Sequence, residues 1–278
     1  MRRNSYSKAE IILGNVKVYC EYILNGKPPI VLIHGFVSSL YTFNRLIPLL
    51  EKHFSVIAMD LPGFGKSEKS ISFVYTYENY AKLVANCIDY FSLDNVYIIG
   101  HSMGGQVALY TARIIPDKVK KLVLLSSSGY LRSTNRWMVY CSYLPLFNQM
   151  VKHRIKRSNV RESLQNVFYN HSLITEEHIR EFETPLQDKN FYKSLIRLLR
   201  HREGDLNSDQ LKEIQTPALL IWGQEDRVVP LGVGKRLAED LPNAKLISYE
   251  KTGHLVTEER TKEIYGEILH YYGAEECR

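Results

Sequence analysis

The sequence predicts an α/β fold: a mostly parallel sheet of eight strands flanked by helices, with one helical insertion. Three observations point there. Short apolar runs alternate with helix-length amphipathic stretches, the series opens with a hairpin, and it is interrupted between about 130 and 213.

The elements follow in order. Stretches 11–13, 16–23 and 29–33 are rich in β-forming residues, separated by Gly14-Asn15 and Asn25-Gly26. Asn-Gly is a strong hairpin signal. Residues 42–52 have helical spacing at Phe43, Leu46, Ile47 and Leu50, and 55–59 is a short apolar run suited to a buried parallel strand. Residues 76–92 place Leu83, Val84, Cys87, Ile88 and Phe91 on one helical stripe. Strand 96–99, helix 103–115 and strand 122–125 come next. After the interruption come strand 218–222, helix 233–240, strand 245–248 and helix 258–272. The chain is accordingly expected to divide into a core of 1–129 and 214–278 and a helical cap of 130–213. The cap is expected over the carboxyl ends of the strands, where open α/β sheets place their sites.

Composition narrows the function classes. With 278 residues, 45% hydrophobic and 24% charged, the chain can bury a sizeable core. It has no apolar run of about 18 residues, and no apolar stretch follows the basic start MRRNSYSKAE, so neither a span nor a secretory signal is expected. Cys20, Cys87, Cys141 and Cys277 stand apart without CxxC pairs and read as reduced thiols of a cytoplasmic protein. The net charge is +6, yet no recognition module stands out, so no nucleic-acid partner is expected. HExxH is absent and no acidic pair has ligand spacing, so no metal is expected. PGFGKS imitates the end of a phosphate-binding loop, but Asp60 stands where that motif needs Gly, and a carboxylate repels phosphate.

The chemistry lies in IIGHSMGGQVAL, 98–109. An apolar strand runs into Gly100, Ser102 and Gly104, then an alanine-bearing helix. A serine at so sharp a turn is strained, and side chains two places either side would collide there. The turn lifts the hydroxyl clear of the sheet and aims the next N–H, that of Met103, at the same space. A serine hydroxyl is a poor nucleophile without a base, and the base needs an orienting carboxylate. LLIWGQEDRVVP puts Asp226 just past one strand, and LISYEKTGHLV puts His254 just past the next. The order Ser102, Asp226, His254 is that of the strand–elbow–helix hydrolases. Phe36 N–H, in HGFVSS, is the second expected donor to an acyl oxygen, with His34 shaping the loop.

These residues make the chain resemble the α/β-hydrolase superfamily along nearly its whole length. The carriers are HGF at 34–36, DLPGFGKS at 60–67, GHSMGG at 100–105, WGQEDRVVP at 222–230 and TGH at 252–254. It looks most like small bacterial carboxylesterases with a helical cap, which are similar to meta-cleavage-product hydrolases. The resemblance implies Ser102 as nucleophile, Asp226 as acid, His254 as base, backbone donors at Phe36 and Met103, and no cofactor. Epoxide hydrolases and haloalkane dehalogenases place Asp where this chain has Ser102. Carbon–carbon hydrolases often carry Asn where it has His101. The expected activity is hydrolysis of small to medium apolar carboxylic esters. The alternatives are carbon–carbon cleavage and a small-ligand receptor on the same fold. Val37, Met103, Tyr130, Trp137, Tyr140, Val228 and Leu255 are the expected pocket walls.

The stretch 137–151 is apolar on nearly every face, and KHRIKR follows at 152–157. The first reading is a helix buried between core and cap. The second is a segment that rests weakly on an anionic membrane.

Overall fold

The structure, a computed structural model, describes residues 6–157 and 159–273. Eight strands form one sheet: β1 (Ser7–Leu13), β2 (Val16–Ile23), β3 (Pro29–Ile33), β4 (Ser55–Met59), β5 (Val96–His101), β6 (Val119–Leu125), β7 (Ala218–Gly223) and β8 (Ala244–Tyr249). Their order is β1-β2-β4-β3-β5-β6-β7-β8. β1 pairs antiparallel with β2 and β2 with β4; the remaining pairs are parallel.

Side-chain alternation explains both faces. Val31, Ile33, Ile57, Met59, Ile98, Leu122, Leu124, Leu220 and Trp222 belong to one apolar cluster, with residues of α2 (Tyr77–Tyr90), α3 (Met103–Ile114) and α10 (Leu231–Asp240). The intervening residues Ile30, Leu32, Val56, Ala58, Ile99, Val123, Leu125, Leu219 and Ile221 belong to the other, with α1 (Ile47–Leu50) and α12 (Thr261–Tyr272). Period-two strands buried on both faces read as continuous apolar runs, which is why 55–59 and 96–99 carry no polar alternation.

Two expected helices are broken, each for a local reason. In place of one helix over 42–52, a 3₁₀ turn (Leu40–Phe43) precedes α1. Asp60 Oδ1 accepts the Leu40 N–H at 2.7 Å and Ser39 Oγ the Tyr41 N–H at 3.3 Å, which starts the chain early. Pro48, without an N–H, then fits only the first turn of a new helix. The helix expected over 258–272 is split into α11 (Val256–Glu259) and α12 by Arg260, whose φ is −132°. Its guanidinium is held by Thr252 Oγ1 at 2.9 Å and the Glu250 carbonyl at 2.7 Å.

Residues 130–213 contain α4 (Arg136–Cys141), α5 (Phe147–Arg157), α6 (Val160–Val167), α7 (Glu176–Glu183), α8 (Lys189–His201) and α9 (Ser208–Lys212). Their one β contact among the described residues is an isolated bridge between Arg132 and Gly204. α4 has no buried residue, so the stretch from 137 is not a helix sandwiched between layers. No helix among the described residues is long and apolar enough to cross a membrane. Cys20, Cys87 and Cys141 are free thiols; Cys277 lies outside the described residues.

Candidate active site

Ser102 sits between β5 and α3 with φ 52° and ψ −121°, a conformation strained for any side chain. Its neighbours hold it there. The Ser102 N–H donates to the Leu125 carbonyl at 3.0 Å, and its own carbonyl accepts Gly105 N–H at 2.9 Å and Ser128 N–H at 3.0 Å. The glycines answer to close approach: a Cβ on Gly100 would strike the Gly104 carbonyl, and one on Gly104 the Ile33 carbonyl. A Cβ on Gly35 would stand 2.9 Å from Ser102 Cβ, so the loop after β3 packs directly on the elbow.

Asp226 follows β7 and His254 follows β8, and the two side chains are buried together. Asp226 Oδ1 accepts the N–H groups of Val228 and Val229, both at 2.8 Å. Its Oδ2 lies 2.8 Å from His254 Nδ1. The carboxylate is thus fixed by backbone on one oxygen and holds the imidazole with the other. That leaves Nε2 as the imidazole's remaining basic nitrogen.

His101 ties this imidazole to the elbow. Its ring lies 4.8 Å from the His254 ring, centroid to centroid, and its Nε2–H donates to the His254 carbonyl at 3.0 Å. Burial, helped by the neighbouring His254, lowers the His101 pKa to about 3, so this ring stays neutral. His34 plays its expected shaping role: Nδ1–H donates to the Gly35 carbonyl at 2.7 Å and Nε2 accepts the Leu61 N–H at 2.9 Å.

The helical segment buttresses the same loop. The Val167 carbonyl, at the end of α6, accepts the N–H groups of His254 at 2.8 Å and Leu255 at 3.2 Å. Glu259 accepts the Asn170 N–H at 2.7 Å with one oxygen and the Gly253 N–H at 2.6 Å with the other. The adjacent pair Glu258-Glu259 gave no hint in the sequence of this clamp.

Ser102 opens into an apolar cavity of about 580 Å³. Phe36 and Met103 line it beside Ser102, and neither of their N–H groups has a protein acceptor among the described residues. Val228 also lines it. The other expected wall residues do not. Val37 packs against the core, and Leu255 is buried with Leu164, Phe168 and Ile174. Tyr130 is drawn aside, its hydroxyl donating to Asp240 at 2.7 Å and its ring stacked under Arg236. Trp137 and Tyr140 face solvent. The walls come instead from Phe147, Val151 and Ile155 of α5 and from Leu195, Leu198 and Leu199 of α8. The i, i+4, i+8 spacing on α5 was the available signal. No group of three His, Cys, Asp or Glu among the described residues is placed to hold a metal ion.

A smaller cavity of about 280 Å³ is lined by Tyr41, Asp60, Lys66, Glu177 and Glu181; Ser102 is not among its walls. The loop residue Asp60 accepts the Leu40 and Lys66 N–H groups there, and burial raises its pKa to about 6.

The family model described as alpha/beta hydrolase fold matches residues 28–261. An uncharacterized hydrolase, YugF, of Bacillus subtilis (strain 168) is 45% identical over 93% of this chain and 95% of its own. A 2-hydroxy-6-oxononadienedioate/2-hydroxy-6-oxononatrienedioate hydrolase of Pseudomonas putida is 31% identical, covering 82% of each chain. Among solved structures, a meta-cleavage product hydrolase from Pseudomonas fluorescens IP01 (CumD), complexed with acetates, superposes with a TM-score of 0.79. It is 25% identical, covering 96% of this chain and 97% of that one.

Proposed function

We propose, for a chain that belongs to the alpha/beta hydrolase fold family, that it hydrolyses small to medium apolar carboxylic esters through an acyl-enzyme on Ser102. The observation that carries the reading is the shared cavity. Ser102 and two N–H groups without protein acceptors stand together, and the rest of the wall is mainly aliphatic and aromatic.

In this mechanism His254 Nε2 takes the Ser102 proton as Oγ attacks the ester carbonyl. The tetrahedral oxyanion is received by the N–H groups of Phe36 and Met103. Asp226 keeps Nδ1 protonated and stabilises the imidazolium. Protonated His254 then gives its proton to the leaving alkoxide. Water, activated by the same nitrogen, releases the acid and frees Ser102. His101, Val167 and Glu259 act as positioning groups, since each touches the His254 loop and none lines the cavity.

One observation favours a second reading, carbon–carbon cleavage. Arg202 lines the cavity, and its Nε is buried without a partner among the described residues. A guanidinium there suits a substrate carboxylate. The relatives named for a dioate act on substrates with two carboxylates. Arg202 is the one Lys or Arg of this wall among the described residues, and its Nη2 already donates to the Arg132 carbonyl at 3.0 Å. The balance therefore favours an apolar ester. Steady-state assay on p-nitrophenyl esters from acetate to decanoate tests it. Multiple turnover with an optimum at medium chain length is expected. Inactivity on every ester, together with turnover of a 2-hydroxy-6-oxodienoate, would transfer the proposal to the second reading.

A further inference from the structure

The outer surface of residues 136–157 is not built like the rest of the molecule. Trp137, Met138, Tyr140, Tyr143, Leu144, Leu146 and Met150 are all exposed, Trp137 to 74%. α4 buries nothing. So many large apolar residues within fifteen positions form a patch of a kind monomer surfaces rarely leave uncovered. The patch is held firmly. Arg200, from α8, donates through Nε to Ser142 Oγ at 2.8 Å and through Nη2 to the Ser142 carbonyl, and it stacks on Tyr143 at 3.8 Å. The chain therefore presents these side chains on a braced support.

Charge says what covers it. Between Asp117 and Glu162 there is no acidic residue, while 130–157 holds six Lys or Arg. None of Arg132, Arg136, Lys152, Arg154 and Arg157 forms an ion pair among the described residues. On α5, Met150, His153, Arg154 and Arg157 form one exposed stripe. On the adjoining face Phe147, Val151 and Ile155 line the cavity that holds Ser102. One helix, roughly 10 Å across, separates outer surface from pocket. A second copy of the chain is a poor occupant, because a two-fold contact would set this acid-free basic surface against itself.

We infer that the 136–157 face docks on an anionic lipid surface, with its apolar side chains in the interface and its basic ones on the headgroups. Resting on the ester reading above, it follows that the substrates are esters that partition into lipid and reach the cavity past α5.

The two tryptophans make the test direct. Trp222 is fully buried, with Nε1–H bonded to the Val229 carbonyl at 2.9 Å, so it is silent, and Trp137 reports the patch. The probe is the Ser102→Ala protein, which removes lipid turnover from the binding measurement. It is mixed with vesicles of pure phosphatidylglycerol, and of pure phosphatidylcholine as neutral control. Docking predicts co-sedimentation, a blue-shifted Trp137 emission and protection from aqueous quencher on phosphatidylglycerol only. Arg154→Gln should weaken partitioning about fivefold, and Leu144→Asp with Met150→Asp should abolish the blue shift. Both variants, made with Ser102 in place, should keep wild-type turnover of soluble p-nitrophenyl butyrate, which also shows that they fold. No vesicle binding overturns the inference. So does binding with unshifted emission, which is adsorption alone, or a stable dimer that Leu144→Asp dissociates. A wild-type protein that docks yet turns over no ester supports docking and overturns the ester reading. One that turns over esters yet never docks does the reverse.

Discussion

At the carboxyl rim of the sheet a methyl group added to Gly104 would strike the Ile33 carbonyl; on α4, no side chain is buried at all. The rim and the helical segment to which α4 belongs both bear on the cavity at Ser102, the latter through α5 and α8, but they are specified differently. The rim is written in backbone constraints. Gly100, Gly104 and Gly35 are small because main chain or Ser102 lies against them, and Asp226 is fixed by two N–H groups before it meets His254. The helical segment is written in side-chain direction, where one helical turn decides whether an apolar residue faces pocket or solvent. A rim should be intolerant and uniform under mutation, and the helical segment tolerant and graded.

The largest effect should come from the rim. Ser102→Ala and His254→Ala should lower ester turnover on the order of 10⁴- to 10⁶-fold with the fold intact, checked by steady-state kinetics. Asp226→Asn should cost about 10⁴-fold, because the amide offers Nδ1–H a poorer partner and stabilises the imidazolium less. Retained activity in either case would erase the contrast.

Next is a stability effect. Gly104→Ala should destabilise by about 3 kcal/mol or more, since the obstacle is backbone that cannot repack, read from chemical denaturation. Leu144→Ala, on the outer helical face, should stay within about 0.5 kcal/mol.

His101 sharpens the comparison through pH. Burial holds His101 down to about 3 and His34 down to about 4, against 6.5 in the unfolded chain. The unfolded chain therefore binds protons that the folded one refuses. Their contribution is fully present above about pH 6.5 and is lost as pH falls through that window. Asp60, raised from 3.8 to about 6, works in the opposite sense between those values and offsets one of the two. Stability should still decline from pH 7 to pH 5. His101→Asn should lessen that decline by about 2 kcal/mol in urea melts at the two pH values. An unchanged slope would mean His101 is not the group refusing the proton.

The smallest effect belongs to the pocket wall. Ile155→Ala should leave rates within severalfold and lengthen the preferred acyl chain, because it enlarges a cavity without disturbing the rim.

The difference also explains what the sequence made legible. The strand order of chemistry, the elbow, and the placing of Asp226 and His254 past successive strands follow from chain order and period-two burial. These need no knowledge of how helices lean. The walls did not follow. Tyr130 was lost to a hydrogen bond with Asp240, 110 positions away, and Trp137 to a helix that buries nothing. Pro48 and Arg260 broke two helices whose apolar spacing alone reads as continuous. Glu259 and Val167, which brace the His254 loop, are invisible locally because each ties that loop to a stretch of chain far away in sequence: Glu259 to Asn170, and Val167 to His254 and Leu255. Residues fixed by their own strand ends are readable from sequence; those fixed by tertiary partners are not.

The most direct measurement is covalent labelling with a p-nitrophenyl phosphonate, followed by intact-mass and peptide analysis. A serine activated by the Asp226–His254 pair should take up one phosphonyl group on the peptide carrying Ser102, with none on Ser102→Ala and slow uptake on His254→Ala. Labelling on another residue, or equal labelling of Ser102→Ala, would contradict the account.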